Sequence, residues 1–219
     1  MAQAGLKERL TSPFVTRRLP AGGARRVLLT FDDGPTPGVT EGVLSRLDAW
    51  RARAIFFVVG RRIERDAALL PVVAAAGHAL GNHSTFHDDA RLPAPWIYHR
   101  DVRRCRDLIA EATGTPPRYF RAPAGRLHPA SLLSPLRLGM RHVLWSLDSR
   151  DWHCRDDDDA RATAARVLAA ADDGDIVLLH DYDAYIHALL DTLLPGLVDA
   201  GFDLGSGLAA LDAGKARAS

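Results

Sequence analysis

In this 219-residue chain, side chains able to do chemistry recur where apolar runs stop. Asp32 and Asp33 follow the run 27–31, His83 and His87 follow 78–82, Arg121 follows 119–120, Asp148 and Asp151 follow 142–147, and His180 follows 176–179. Two histidines four residues apart can face the same way on a helical turn, and a carboxylate from elsewhere completes a three-ligand site with room for water. That geometry is hydrolytic, because a bound Zn²⁺ brings the pKa of water down to about 7 and polarises a carbonyl oxygen. The stretch His83-Ser84-Thr85-Phe86-His87 lacks the glutamate that a metalloprotease helix carries beside its first histidine, so the general base has to come from another segment. Asp32 is the obvious supplier. Each piece alone has a bland reading: Asp-Asp-Gly-Pro also makes a turn, two histidines can sit on a solvated loop, and Arg121 or His180 can be structural. Their recurrence favours chemistry.

The elements that must position these groups alternate in type. Runs 27–31, 54–59, 78–82, 119–121, 142–147 and 176–179 read as short strands, with 202–204 as a seventh. Between them lie helical patterns. Thr36 as N-cap and Pro37 open a helix that carries Val39, Val43, Leu47 and Trp50 on one face, and a second helix runs to Ala76 with Pro71 near its start. A third, over 96–113, keeps Val102, Cys105, Ile109 and Ala112 together and ends at Gly114; others follow Pro129, span 160–171 and carry Leu189, Leu190, Leu193 and Leu197. Strand–helix alternation implies a parallel sheet covered by helices, and in parallel barrels catalytic groups sit at the C-terminal strand ends. The strands are too few for an eightfold barrel. The expectation is a single α/β domain over residues 26–219, a distorted barrel of about seven strands, preceded by an N-terminal extension at 1–25.

A net charge of +1, with basic residues scattered singly and in pairs, gives no nucleic-acid footprint and points to a neutral or mixed-charge substrate. No run reaches membrane-spanning length, so no membrane insertion is expected, and the opening residues lack the apolar stretch of a signal peptide, so a cytoplasmic location is expected, or secretion if an export signal has been removed. Cys105 and Cys154 have no Cys-x-x-Cys spacing and read as free thiols. His78, His99, His128, His142, His153 and His187 have no partner at ligand spacing and read as structural or exposed; the acidic run 156–159 reads as a helix start.

Thr30-Phe31-Asp32-Asp33-Gly34-Pro35, His83-Ser84-Thr85-Phe86-His87, Arg121-Ala122-Pro123-Ala124-Gly125, Asp148-Ser149-Arg150-Asp151-Trp152 and Leu178-Leu179-His180 resemble the five ordered motifs of the NodB-homology polysaccharide deacetylases, carbohydrate esterase family 4. The resemblance implies a distorted (β/α)7 barrel of the NodB-homology type and metal-dependent removal of N-acetyl or O-acetyl groups from a carbohydrate. It implies Asp33, His83 and His87 as metal ligands, for Zn²⁺ or alternatively Co²⁺ or another divalent ion. Asp32 would be the general base and His180 the general acid. Arg121 would pair with the base and lower its pKa, and Asp151 would raise that of His180. The backbone N–H of Ala124 would help hold the oxyanion, and Trp152 and Leu178 would wall the acetyl and sugar site. Where the family usually has an aromatic, this chain has Ala124, which opens one side of the groove. Other readings on the same scaffold are a deformylase, an amidase, an O-acetyl esterase, or a catalytically silent sugar-binding protein of a polysaccharide assembly system.

Overall fold

The structure is a computed structural model and describes residues 14–87 and 94–213. Its strands are β1 (Val15–Thr16), β2 (Leu28–Asp32), β3 (Ala54–Val58), β4 (Ala79–Asn82), β5 (Tyr119–Phe120), β6 (Arg141–Val143), β7 (Leu147–Asp148) and β8 (Ile176–His180). The helices are α1 (Val39–Ala49), α2 (Gly60–Asp66), α3 (Leu69–Ala75), α4 (Pro95–Thr113), α5 (Pro129–Arg137), α6 (Asp157–Ala170), α7 (Tyr185–Asp199) and α8 (Gly207–Ala213). All strand pairs are parallel, in the order β1-β6-β5-β4-β3-β2-β8-β7.

That order forces a curl. β6 and β7 are joined through Leu144, Trp145 and Ser146, a link that spans roughly 14 Å at full extension, yet six strand spacings separate them in the sheet, roughly 29 Å if it were flat. The sheet therefore wraps until its two ends meet. Leu144 N–H donates to Thr16 O at one end and Ser146 N–H to Ile176 O at the other, at 2.8 and 3.1 Å. The run expected as one strand over 142–147 is thus two strands, because its halves bond opposite ends of the sheet. The distorted barrel is the fold that results.

Side-chain alternation sorts the strands into an outer and an inner set. Leu29, Phe31, Phe56 and Val58 point outward into a cluster with Val43 and Leu47 of α1 and Leu189, Leu193 and Leu197 of α7. Leu28, Ile55, Phe57, Tyr119, Val143 and Ile176 fill the interior with Leu211 of α8. Two residues further along the same inner rows come Thr30 and then Asp32, Arg121, and Leu178 and then His180. A packed apolar floor therefore carries the polar groups at the C-terminal rim.

Several local expectations change. Residues 202–204 make only an isolated bridge, Asp203 to Arg26, and β1 supplies an edge strand from within the first 25 residues. Helix α1 starts at Val39, not at a Thr36 cap: Thr36 O accepts from Val39 and Thr40 in a turn, and Glu41 accepts the Gly38 N–H at 2.7 Å. Trp50 ends that helix 41% exposed, off its buried face. The helix expected up to Ala76 is two, α2 and α3, with Pro71 in the first turn of the second, where its missing N–H costs nothing. The Asp156 side chain accepts the Asp159 N–H and caps α6, and both cysteines are free. Among the described residues no helix is long and apolar enough to cross a membrane.

Candidate metal centre and active site

Asp32 ends β2 and stands in register with His180, which ends β8, so the two side chains share one face on neighbouring strands. Asp32 Oδ1 accepts from the Arg121 guanidinium at 2.7 Å. Arg121 is fully buried, and a lone buried cation would cost several kcal/mol. Three further N–H groups donate to Thr30 Oγ1 at 2.8 Å, Val143 O at 3.0 Å and Leu144 O at 3.3 Å, and the guanidinium lies over the Phe57 ring at 4.2 Å. Burial pushes the Asp32 carboxyl above its ordinary range, with Arg121, His180 and His87 opposing it. The expected lowering by Arg121 is present but loses to desolvation.

Asp33, His83 and His87 each offer one ligand atom, and these atoms lie within 4.8 Å of one another. His87 Nε2 is 3.2 Å and His83 Nε2 3.6 Å from Asp33 Oδ1. The donor set suits a divalent ion. His83 Nδ1 is 2.9 Å from Arg121 O, which fixes the proton on that nitrogen and leaves the Nε2 lone pair facing the cluster. Burial holds the His83 pKa down to about 3, so the ring is the neutral form a metal takes.

The two histidines do not meet on a helical turn. They come together through a loop in which Ser84 and His87 have φ of 65° and 50°, and Asp33 itself sits at 74°. Left-handed backbone at non-glycine residues costs about 1–3 kcal/mol each and persists only where its surroundings over-determine it. Here Asn82 Oδ1 accepts Ser84 N–H at 2.8 Å, Asp101 of α4 accepts Thr85 N–H at 3.2 Å, and Ser84 O and Thr85 O accept from Gly60 and Arg61 at 2.9 and 3.0 Å. Asp101 had no signal in the sequence, since it lies mid-helix among arginines.

His180 Nδ1 is 2.7 Å from Asp151 Oδ1, and the other oxygen of that carboxylate accepts the His180 backbone N–H at 2.8 Å. Burial lowers the His180 pKa, but the Asp151 hydrogen bond and charge, with Asp32 and Asp33, raise it overall to about 9. Asp148 takes no part: its Oδ1 accepts Arg150 N–H at 2.9 Å in a local turn. Ala124 is exposed with φ 50°, Trp152 is 51% exposed with its ring 3.7 Å from that of His153, and Leu178 is buried next to β7. A cavity of about 90 Å³ lies among Asp151, Trp152, His180 and Tyr182.

Asp181 is a further buried group that sequence reasoning passed over. It accepts the Thr40 hydroxyl at 2.7 Å, and its carboxylate fills the space a Cβ on Gly34 would need, which explains the glycine after Asp33. Burial, together with Asp33 and Asp32, pushes it up to about 7. Other histidines are structural: His78 accepts Ala54 N–H, His142 accepts Ala122 N–H, and His187 donates to Val39 O.

The polysaccharide deacetylase family profile matches residues 20–143, more than half of the chain. A chitooligosaccharide deacetylase of Bradyrhizobium is 39% identical over 164 residues, covering 73% of this chain and 72% of that protein. The chain belongs to the polysaccharide deacetylase family. The profile match stops before Asp148–Trp152 and Leu178–His180, which the barrel brings to the same rim. A peptidoglycan-N-acetylglucosamine deacetylase of Listeria monocytogenes is 32% identical over 179 residues, 82% of this deacetylase-family chain but only 37% of the relative's length. A family 4 carbohydrate esterase from Streptomyces lividans, solved with acetate, superposes with a TM-score of 0.74 at 27% identity, covering 82% of this chain and 92% of that one. The family is metal-dependent, and the Asp33–His83–His87 cluster is where this member can hold the ion.

Proposed function

We propose that this chain hydrolyses N-acetyl groups on an N-acetylglucosamine-containing oligo- or polysaccharide and releases acetate. The observation that carries the reading is the pairing of Asp32 with His180 across β2 and β8, beside the three-ligand cluster and each with its own fixed partner. The catalytic unit is residues 26–219, and of the stretch before it Val15–Thr16 adds an edge strand to the sheet.

Asp33, His83 and His87 would hold Zn²⁺, with Co²⁺ as a working substitute. When bound, the ion polarises the acyl carbonyl and makes water acidic enough to attack near neutral pH. Asp32 takes the proton from the attacking water; its own burial disfavours the charge this requires, and the Arg121 guanidinium opposes that effect. Asp151 holds the proton on His180 Nδ1, so Nε2 faces the site and delivers a proton to the leaving amine. The Ala124 N–H would help hold the oxyanion, and the strained φ of that residue fits a donor aimed by the loop. Trp152 and Leu178 would flank the acetyl group and the sugar face.

Protein stripped of metal is expected to release no acetate from N-acetylglucosamine oligomers, and Zn²⁺ or Co²⁺ to restore release, with acetylated xylan as the comparison for O-acetyl groups. Metal-loaded protein that frees acetate from neither substrate would sink the reading. Ala124→Tyr adds an aromatic at an exposed position on the rim. It is expected to shift the ratio of rates on long and short oligomers, measured side by side; an unchanged ratio would show that the open side of the groove does not set chain-length preference.

A further inference from the structure

His142 lies on β6 beside Phe120, its register partner on β5, with the two ring centroids 5.0 Å apart. It is 3% exposed, next to the apolar cluster that Phe120, Ala122 and Met140 form with Tyr98 and Val102 of α4. An aliphatic side chain would fill that space without taking a polar ring out of water. What the histidine supplies is an acceptor: Ala122 N–H donates to its Nε2 at 3.3 Å. A backbone N–H only donates, so Nε2 carries the lone pair and the ring is neutral. Burial, with the Arg121 and Arg17 cations nearby, agrees by pushing the His142 pKa down to about 3.

That acceptor matters because of the peptide it holds. The Arg121–Ala122 peptide offers one oxygen and one N–H, and a histidine ring takes each: Nδ1 of His83 the oxygen, at 2.9 Å, and Nε2 of His142 the N–H. His83 is a candidate metal ligand, and its bond to this peptide is what keeps its Nε2 facing the cluster. The neighbouring groups leave the peptide little slack, since Arg121 N–H donates to Asn82 O at 3.0 Å and Ala122 O accepts from Gly125 N–H at 2.9 Å. Hydrogen bonds in a chain polarise one another, so an amide whose N–H is engaged presents a more negative oxygen to the ring beyond it.

We propose that His142 is a positioning residue of the metal centre: by holding the Arg121–Ala122 peptide it fixes the His83 ring and strengthens that ring as a ligand. The proposal rests on the reading of Asp33, His83 and His87 as metal ligands, and it adds a residue that lies outside the five motifs. Co²⁺ titrated into metal-stripped protein reads the ligand set without substrate. His142→Leu suits the apolar layer but has no acceptor. It is expected to weaken Co²⁺ binding about 10- to 100-fold, the range for loss of a group behind a metal-bound histidine, and to shift the Co²⁺ absorption bands at saturation. His142→Gln, whose side-chain oxygen reaches the place of Nε2, is expected to recover most of that affinity.

Packing alone predicts a different pattern, with leucine the more stable substitute and Co²⁺ affinity alike in all three proteins. That result overturns the proposal, as does a glutamine variant that binds as weakly as the leucine one. Should His142→Leu not fold, hydrogen exchange in the wild type decides. The control is the Ala54 amide, whose N–H also donates to a histidine, His78, at the opposite end of the barrel. Zn²⁺ is expected to slow exchange of the Ala122 amide more than that of Ala54, and equal slowing overturns the proposal. Wild type that takes up no Co²⁺ rejects the metal centre and the role of His142 with it, whereas bound metal without acetate release rejects only the deacetylase.

Discussion

Asp32→Asn is expected to lower kcat for acetate release by about 10²- to 10⁴-fold while leaving the metal in place, the range that loss of a positioned general base spans. The amide has the shape of the carboxylate and keeps an oxygen to accept from Arg121, but it cannot take a proton from water. Asp33, His83 and His87 are untouched, so Co²⁺ bound to the variant should show the wild-type absorption spectrum and stoichiometry. The substitution also strips the counter-charge from a fully buried guanidinium, and breaking such a pair costs about 3–5 kcal/mol. Thr30, Val143 and Leu144 go on accepting from Arg121 and reduce that loss. A lower Tm is therefore expected alongside the kinetic defect, and rates have to be compared well below both melting points. A folded, metal-replete variant with more than a tenth of the wild-type kcat would remove Asp32 from the base role.

Much of the barrel was legible because its strands are covered on both faces. Every residue of β2 and β3 is buried, and such strands read as continuous apolar runs whatever their partners are. Short strands were harder. β1 and β7 hold two residues each, too few to show a period, and β6 with β7 read as one run because a chain can stay extended while it changes partners. Residues 202–204 are apolar for a different reason: Phe202 and Leu204 pack under the outer helices rather than join the sheet.

The candidate site was legible to the extent that inner-row alternation ends in chemistry. Asp32, Arg121 and His180 are each the last inward position of a row whose earlier members are apolar except for Thr30, so their place on the rim follows from counting by two. The metal cluster was found by residue type but for an incomplete reason, since left-handed residues at positions 33, 84 and 87, not a helical turn, bring the ligands together. Sequence patterns do not encode that path, because the residues that enforce it are Asp101, far along the chain, and the backbone of Gly60 and Arg61. Asp181 was hidden similarly: it directly follows His180, yet its work is done against Gly34 and Thr40, some 140 positions away.

Asp151→Asn is expected to lower kcat by roughly 10²-fold or more and to move the basic limb of the pH–rate profile downward. In the protein the Asp151 carboxylate serves two donors, the His180 ring and the His180 backbone, with one oxygen each. An amide has only one acceptor. Either the ring or the backbone N–H then faces an NH₂ group, and the ring loses its fixed tautomer. The His180 pKa, raised to about 9 from 6.5, falls with the charge that raises it, so less imidazolium remains to protonate the leaving amine at neutral and alkaline pH. The same change must appear in stability. A histidine whose folded pKa is raised contributes stabilisation that is complete below its unfolded pKa of 6.5 and is lost as pH climbs through about 9. Urea unfolding of metal-stripped wild type and variant should therefore show a gap of up to about 3 kcal/mol near pH 6, shrinking by pH 10. A gap that stays constant over that range would mean that Asp151 holds His180 in place without setting its charge, and the loss of rate would then be one of orientation alone.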